Sequence, residues 1–276
     1  MNEIPVLRAD KWVQVRGVTS LGEELYILFN HCFLSHLIAV YSKTDFTFLR
    51  AFSVPGLSQH GIQDMSSCAR LDCLLIANSD RRCLHKIMKN GKNSPEMWPL
   101  SDKPYGLSAG KGGNVSVLVA CCGGSILSNT GKLMELNTLG HCVREIILKP
   151  WVASLWHAVE LSSGEFVIAY RSYWCARGEA IGIVDKSGRV KQSYGDWWKP
   201  SSETDTLKGT LCMAVDNDGF VFLADNEKCR VVLLTPSLRF LCNIVTNFPP
   251  RWLHLDQKSR RLFVGYDVHT VDVFQL

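Results

Sequence analysis

No C-x-x-C pair occurs among the eleven cysteines of this 276-residue chain. An odd number scattered without fixed spacing argues against a disulfide framework and against a thiolate zinc site. Cys73, Cys83, Cys212 and Cys242 fall inside apolar stretches and read as reduced, buried small hydrophobes. His31, Cys32 and His36 gather in one loop, but three candidate ligands without a fourth do not make a zinc centre. Cys121 and Cys122 read as a strand end. The chain also lacks any apolar run long enough to span a bilayer, and Met1-Asn2-Glu3-Ile4-Pro5 has neither the basic start nor the apolar middle of a signal peptide. The expected compartment is therefore the cytoplasm, with no membrane contact. Strong charge of one sign is absent too: a net charge of +4 admits an acidic or nucleic-acid partner without requiring one. With 46% apolar and 20% charged residues, the composition is that of a globular chain rather than a disordered one.

What is present is a repeat. A mostly apolar hexad ending in a small or aromatic residue and a turn-former recurs at 25–30, 73–78, 116–121, 166–171, 220–225 and 262–267. The starts lie 48, 43, 50, 54 and 42 residues apart. That period belongs to four-stranded antiparallel units, so the expected fold is all-β: a single six-bladed β-propeller domain over 1–276.

The fifth unit is clearest. Leu211-Cys212-Met213-Ala214-Val215-Asp216 reads as an inner strand, Asn217-Asp218-Gly219 as a tight turn, and 220–225 as the second strand. Residues 230–234 supply a third strand, Pro236-Ser237 a turn, and 240–245 the outer fourth. The last unit has only three strands. The stretch 6–13 has no blade of its own, so it is expected to complete the sixth blade and close the ring from the N-terminal side.

The run Ala214-Val215-Asp216-Asn217-Asp218-Gly219-Phe220-Val221-Phe222-Leu223-Ala224-Asp225-Asn226, followed by Arg230-Val231, resembles the NHL repeat. The other units keep the spacing but degrade the motif, Asn78 and Arg82 being the nearest echo. The resemblance implies a six-bladed propeller that binds proteins or RNA. NHL propellers often terminate RING, B-box and coiled-coil ubiquitin ligases, and no such pattern occurs in these residues, so ligase activity is not carried over.

In a meander blade, the second-to-third connections and the connections between blades share one face. The short Gly turns belong to the other. On the irregular face, blade four contributes Arg171, Tyr173, Trp174 and Arg177, and the connection after it contributes Trp197, Trp198 and Lys199. Such aromatic and cationic side chains dominate binding hot spots. The first residues of the inner strands, Arg16, His60, Tyr105, His157, Thr210 and Arg251, are expected to ring the channel mouth. No carboxylate is among them, which disfavours a metal-dependent lactonase-like hydrolase, because a hard cation needs oxygen ligands. Arg81 and Arg82 add positive charge. Gly106-Leu107-Ser108-Ala109-Gly110 matches G-x-S-x-G, but a nucleophile elbow needs a helix after it, and here a turn and a strand follow. Asn114-Val115-Ser116 matches a glycosylation sequon without a secretory context. The expectation is a non-catalytic, monomeric module with no catalytic residue, metal or cofactor. Its partner is a protein or peptide, with RNA as the alternative.

Overall fold

Side chains alternate across a strand, so a strand sandwiched between two neighbouring sheets must be apolar on both sides. The middle strands here meet that requirement: Cys73–Asn78, Glu179–Val184 and Val221–Asp225 are buried along their whole length. The computed structural model describes residues 2–5, 13–31, 36–57, 61–92, 94–110, 117–122, 130–149, 152–172, 179–195 and 207–276.

The strands are β1 Asn2–Pro5, β2 Val13–Leu21, β3 Glu24–His31, β4 Leu37–Ser42, β5 Phe48–Ser53, β6 Ile62–Cys68, β7 Cys73–Asn78, β8 Cys83–Met88, β9 Glu96–Pro99, β10 Lys103–Ala109, β11 Val117–Cys122 and β12 Gly131–Leu136. There follow β13 Cys142–Ile147, β14 Val152–Glu160, β15 Phe166–Ser172, β16 Glu179–Val184, β17 Val190–Tyr194, β18 Thr210–Val215, β19 Val221–Asp225, β20 Arg230–Leu234, β21 Phe240–Val245, β22 Pro250–Asp256, β23 Arg261–Tyr266 and β24 Thr270–Gln275. Consecutive quartets from β2 to β21 form blades one to five, and β22, β23 and β24 with β1 form blade six. All pairings are antiparallel, so the expected propeller is the fold.

The core is distributed between the blades. Phe29, Trp252 and Phe263 pack where blades six and one meet; Tyr26, Leu74 and Ile76 do so between blades one and two; and Leu223 with Val167 and Ile181 between blades four and five. Burying each such side chain contributes roughly 1.5–3 kcal/mol, so adjacent blades hold each other rather than standing alone.

The ring closes through the N-terminus by a different segment from the one expected. β1 pairs with β24 from Asn2 opposite Val273 to Pro5 opposite Thr270, whereas Val13 opens β2 opposite His31 in blade one. Residues 6–12 lie outside the described residues. An outer strand needs no apolar pattern, as the exposed β13, β17 and β21 show. The polar quartet Asn-Glu-Ile-Pro is therefore a sufficient closing strand, and proline is tolerated at a sheet edge. The same rule corrects Cys242: it lies exposed on β21, while Cys73, Cys83 and Cys212 are buried as expected.

Turn chemistry sets the register. In blade five, Asp216 Oδ1 accepts the backbone N–H of Asp218 and Phe220, and Gly219 adopts φ +88°. An aspartate at the strand end and a glycine three residues on thus build the turn locally. At the other end of the blade, Asp225 and Arg230 are directly opposite. The fully buried Asp225 carboxylate accepts Arg230 Nε at 2.7 Å and the backbone N–H of Lys208 at 2.8 Å. The Asp and Arg of the repeat motif are therefore a latch between second strand, third strand and the preceding connection.

Candidate binding site at the channel mouth

Every inner strand is broken by a β-bulge close to where it enters the channel. The pairing register skips Arg16 in β2, Gln63 in β6, Tyr105 in β10, Trp156 in β14 and Arg251 in β22, and in β18 it slips between Thr210 and Met213. A bulge leaves its extra residue unpaired and re-aims that side chain. Here Gln63, Tyr105, Trp156, Cys212 and Arg251, with Asp64 and Trp252, line a cavity of about 220 Å3.

The ring drawn from the first residues of each strand is thus partly right. Tyr105 and Arg251 line the cavity, whereas Arg16 is not in its lining and pairs with Asp267 beside Arg251. Trp156 takes the place expected for His157, and β18 contributes Cys212; His60 and the side chain of Thr210 lie outside what is described. Counting from strand starts presumes an unbroken pleat, and one extra residue reverses the direction of the next side chain. Close approach is part of the design. A Cβ on Gly106 would stand 2.7 Å from His157 Cα, so the residue after the Tyr105 bulge cannot carry a side chain without moving blade four.

Two guanidiniums share one carboxylate at the mouth. Arg251 pairs with Asp267 Oδ2, and Arg16 stands 3.7 Å from Asp267 Oδ1. Burial holds the Arg16 pKa below its usual value; Asp267 opposes that shift and the neighbouring Arg251 adds to it. Arg251 also lies 5.1 Å over the Trp252 ring, and Tyr105 meets Trp156 edge-on with centroids 5.3 Å apart. Within this trio one positive charge is unbalanced, and Asp64, which lines the same cavity, offsets it.

A carboxylate does enter the channel. Asp64, one residue past the Gln63 bulge, accepts the backbone N–H of Met65 and of Leu107, each at 2.8 Å, and stands 3.4 Å from His157 Nε2. This corrects the carboxylate-free picture, which looked only at strand starts. His157 sits behind the mouth rather than on it. Its Nδ1 and the Ser108 hydroxyl are buried without a protein partner, and both residues line a second cavity of about 200 Å3 further along the channel. Ser108 lies in β10, as expected for an inner-strand serine. Each oxygen of Asp64 accepts a backbone N–H, and no three His, Cys, Asp or Glu side chains converge among the described residues.

The remaining candidates divide. Arg171 is directly opposite Glu179, pairs with it at 3.3 Å and covers the Trp156 ring at 5.6 Å. It is the charge-reversed counterpart of the Asp225–Arg230 latch, which gives it a structural role. Arg81 and Arg82 are exposed on the connection from β7 to β8, on the mouth face. Tyr173, Trp174, Arg177, Trp197, Trp198 and Lys199 lie outside the described residues. Gln63, Asp64, Trp156, Cys212 and Trp252 escaped sequence reasoning.

No protein-family model and no curated protein matches the chain by sequence. Solved structures do match in fold. Hydrazine synthase of Kuenenia stuttgartiensis is 12% identical with a TM-score of 0.67, over 95% of this chain and 84% of that one. Virginiamycin B lyase of Staphylococcus aureus is 12% identical with a TM-score of 0.61, over 100% and 88%. The WD40 propeller domain of Doa1 is 14% identical with a TM-score of 0.63, over 98% and 94%. At such identities the likeness defines a class, the β-propeller, and nothing narrower. Propellers commonly mediate protein interactions, and the class also contains enzymes. Among the described residues no helix is long and apolar enough to cross a membrane.

Proposed function

We propose that this chain is a non-catalytic interaction module that takes an anionic side chain of a protein partner into the channel mouth. The observation that carries the reading is the convergence of Arg16 and Arg251 on the single carboxylate of Asp267. An incoming carboxylate relieves the repulsion between the guanidiniums and finds bidentate donors. The bulge residues Tyr105 and Trp156 supply aromatic contact area around it. The Asp64–His157 pair favours a hydrolase as the competing reading. Against that, both Asp64 oxygens are occupied by backbone donors, so the pair serves first to tie strands together.

The test is affinity capture with the wild-type chain, Arg16→Ala with Arg251→Ala, and Lys258→Ala on the opposite face. Partners should be retained by the wild type and by Lys258→Ala, lost with the double variant, and indifferent to RNase. Identical capture by all three proteins would overturn the reading. Capture abolished by RNase would favour RNA as the ligand, as the NHL resemblance suggests, and binding should then fall steeply with salt.

A further inference from the structure

Proteins protect the outer strands of a sheet with charge or proline, because an open row of N–H and C=O groups invites another strand. Five of the six outer strands here follow that rule. β1 carries Glu3 and Pro5, β5 Arg50, β9 Glu96 and Pro99, β13 Arg144 and Glu145, and β17 Lys191. β21, Phe-Leu-Cys-Asn-Ile-Val, has neither charge nor proline. It is also greasy where it meets solvent: Phe240 is 44%, Leu241 46% and Val245 74% exposed. The face bearing Cys242 and Ile244 lines a cleft of about 600 Å3 against Leu255 and Leu276 of blade six, with Asp216, Asp218 and Arg260 also in its lining.

The free edge has a defined register. Thr246 donates its N–H to Cys229 O across the blade. Alternate residues of an antiparallel strand point to opposite sides, so the backbone groups of Asn243 and Val245 point outward. A second β21 can meet them in antiparallel sense about a two-fold axis through Asn243. That sets Asn243 opposite Asn243 and Cys242 opposite Ile244 of the second copy, while Val245 falls beside Leu241, the residue that the β20–β21 register skips. No like charges meet. Antiparallel pairing sends the two exposed Arg239 side chains to opposite ends of the shared sheet, each toward the end of the other copy's blade five that bears Glu227 and Lys228. Parallel pairing would set two Arg239 side chains together instead. The neutral edge, its self-complementary apolar face and the separation of the two Arg239 charges all select the same occupant.

We propose that the chain forms a closed two-fold dimer by antiparallel pairing of β21 with β21 of a second copy, which joins two fifth blades into one eight-stranded sheet. The partner is thus another copy of this chain, in contrast to the monomer expected from sequence, and the interface is independent of the channel mouth. Because each copy uses its β21 edge on the other, assembly stops at two.

The experiment is analytical ultracentrifugation of the purified chain over a dilution series reaching about 100 μM, a range that detects dissociation constants in the micromolar class. Val245→Lys and, as control, Ile147→Lys on outer strand β13, where Ile147 is 63% exposed, are run alongside. Circular dichroism checks that each variant is folded. The wild type and Ile147→Lys should show a monomer–dimer equilibrium. Val245→Lys should weaken it by about a hundredfold or more, because the charge is desolvated in the interface. Hydrogen exchange should show the Asn243 and Val245 amides protected in the dimer and open in Val245→Lys. A wild type that stays monomeric, open-ended association beyond a dimer, or a dimer that survives Val245→Lys would each overturn the proposal.

Discussion

Truncating Asp64 to alanine tests how the channel is held together. The carboxylate belongs to blade two. It accepts one N–H from its own strand, at Met65, and one from blade three, at Leu107, and faces His157 of blade four. One side chain therefore ties three inner strands. Asp64→Ala leaves two buried backbone donors without an acceptor. At about 1–3 kcal/mol for each such donor, the expected loss is about 2–6 kcal/mol of folding stability. Asp64→Asn keeps one acceptor oxygen but turns an NH2 toward the other N–H, so it should lose about 1–3 kcal/mol. Equilibrium urea unfolding measures both, with an unchanged m-value showing that the unfolded state is not altered. A loss under about 1 kcal/mol for the alanine variant, or an asparagine variant as damaged as the alanine one, would refute the view that these two bonds are what the carboxylate is for.

Deleting residues 1–5 removes β1 and leaves β24 as an open edge, so the shortened protein should melt several degrees lower and scatter light on heating; an unchanged melting temperature would show that closure by β1 is dispensable. Burial first holds the imidazoles of His36 and His254 at about 4, below the usual 6.5. Their folded pKa values are depressed, so between these pH values the unfolded chain binds more protons. Stability should be full above 6.5 and fall as the pH drops toward 4, with a shallower fall in His254→Gln; a flat stability profile across that window would contradict it. Gly140→Ala places a Cβ into the Trp98 ring of blade two at a φ of +78°, and should cost about 2–4 kcal/mol in thermal or urea unfolding, whereas exposed Gly22, with open space around it, should tolerate alanine better.

The number of blades, their order and the strands of blade five were legible from sequence because their causes are local. Apolar alternation, an Asp or Asn opening a turn and a glycine three residues later act within a dozen residues, so the expected third and fourth strands of blade five match Arg230–Leu234 and Phe240–Val245 to the residue. That Asp225 and Arg230 form a latch was visible only in the pairing of β19 with β20. The channel mouth was only half legible. Tyr105, Arg16 and Arg251 could be named from strand starts, but a bulge is a mismatch between two strands, and neither strand alone records it. Asp64 and Trp156 therefore became visible only when the partner register was known. The pairing of Arg171 with Glu179 likewise depends on the register between two strands. The closing strand was hidden because an outer strand owes nothing to hydrophobic pattern, and its pairing depends on residues 270–273 at the far end of the chain. Sequence alone determined what each segment could become; the tertiary structure decided which side chains share the channel, since that depends on contacts between blades some 40 to 200 residues apart, such as the bond from Trp252 Nε1 to the carbonyl of Gln63.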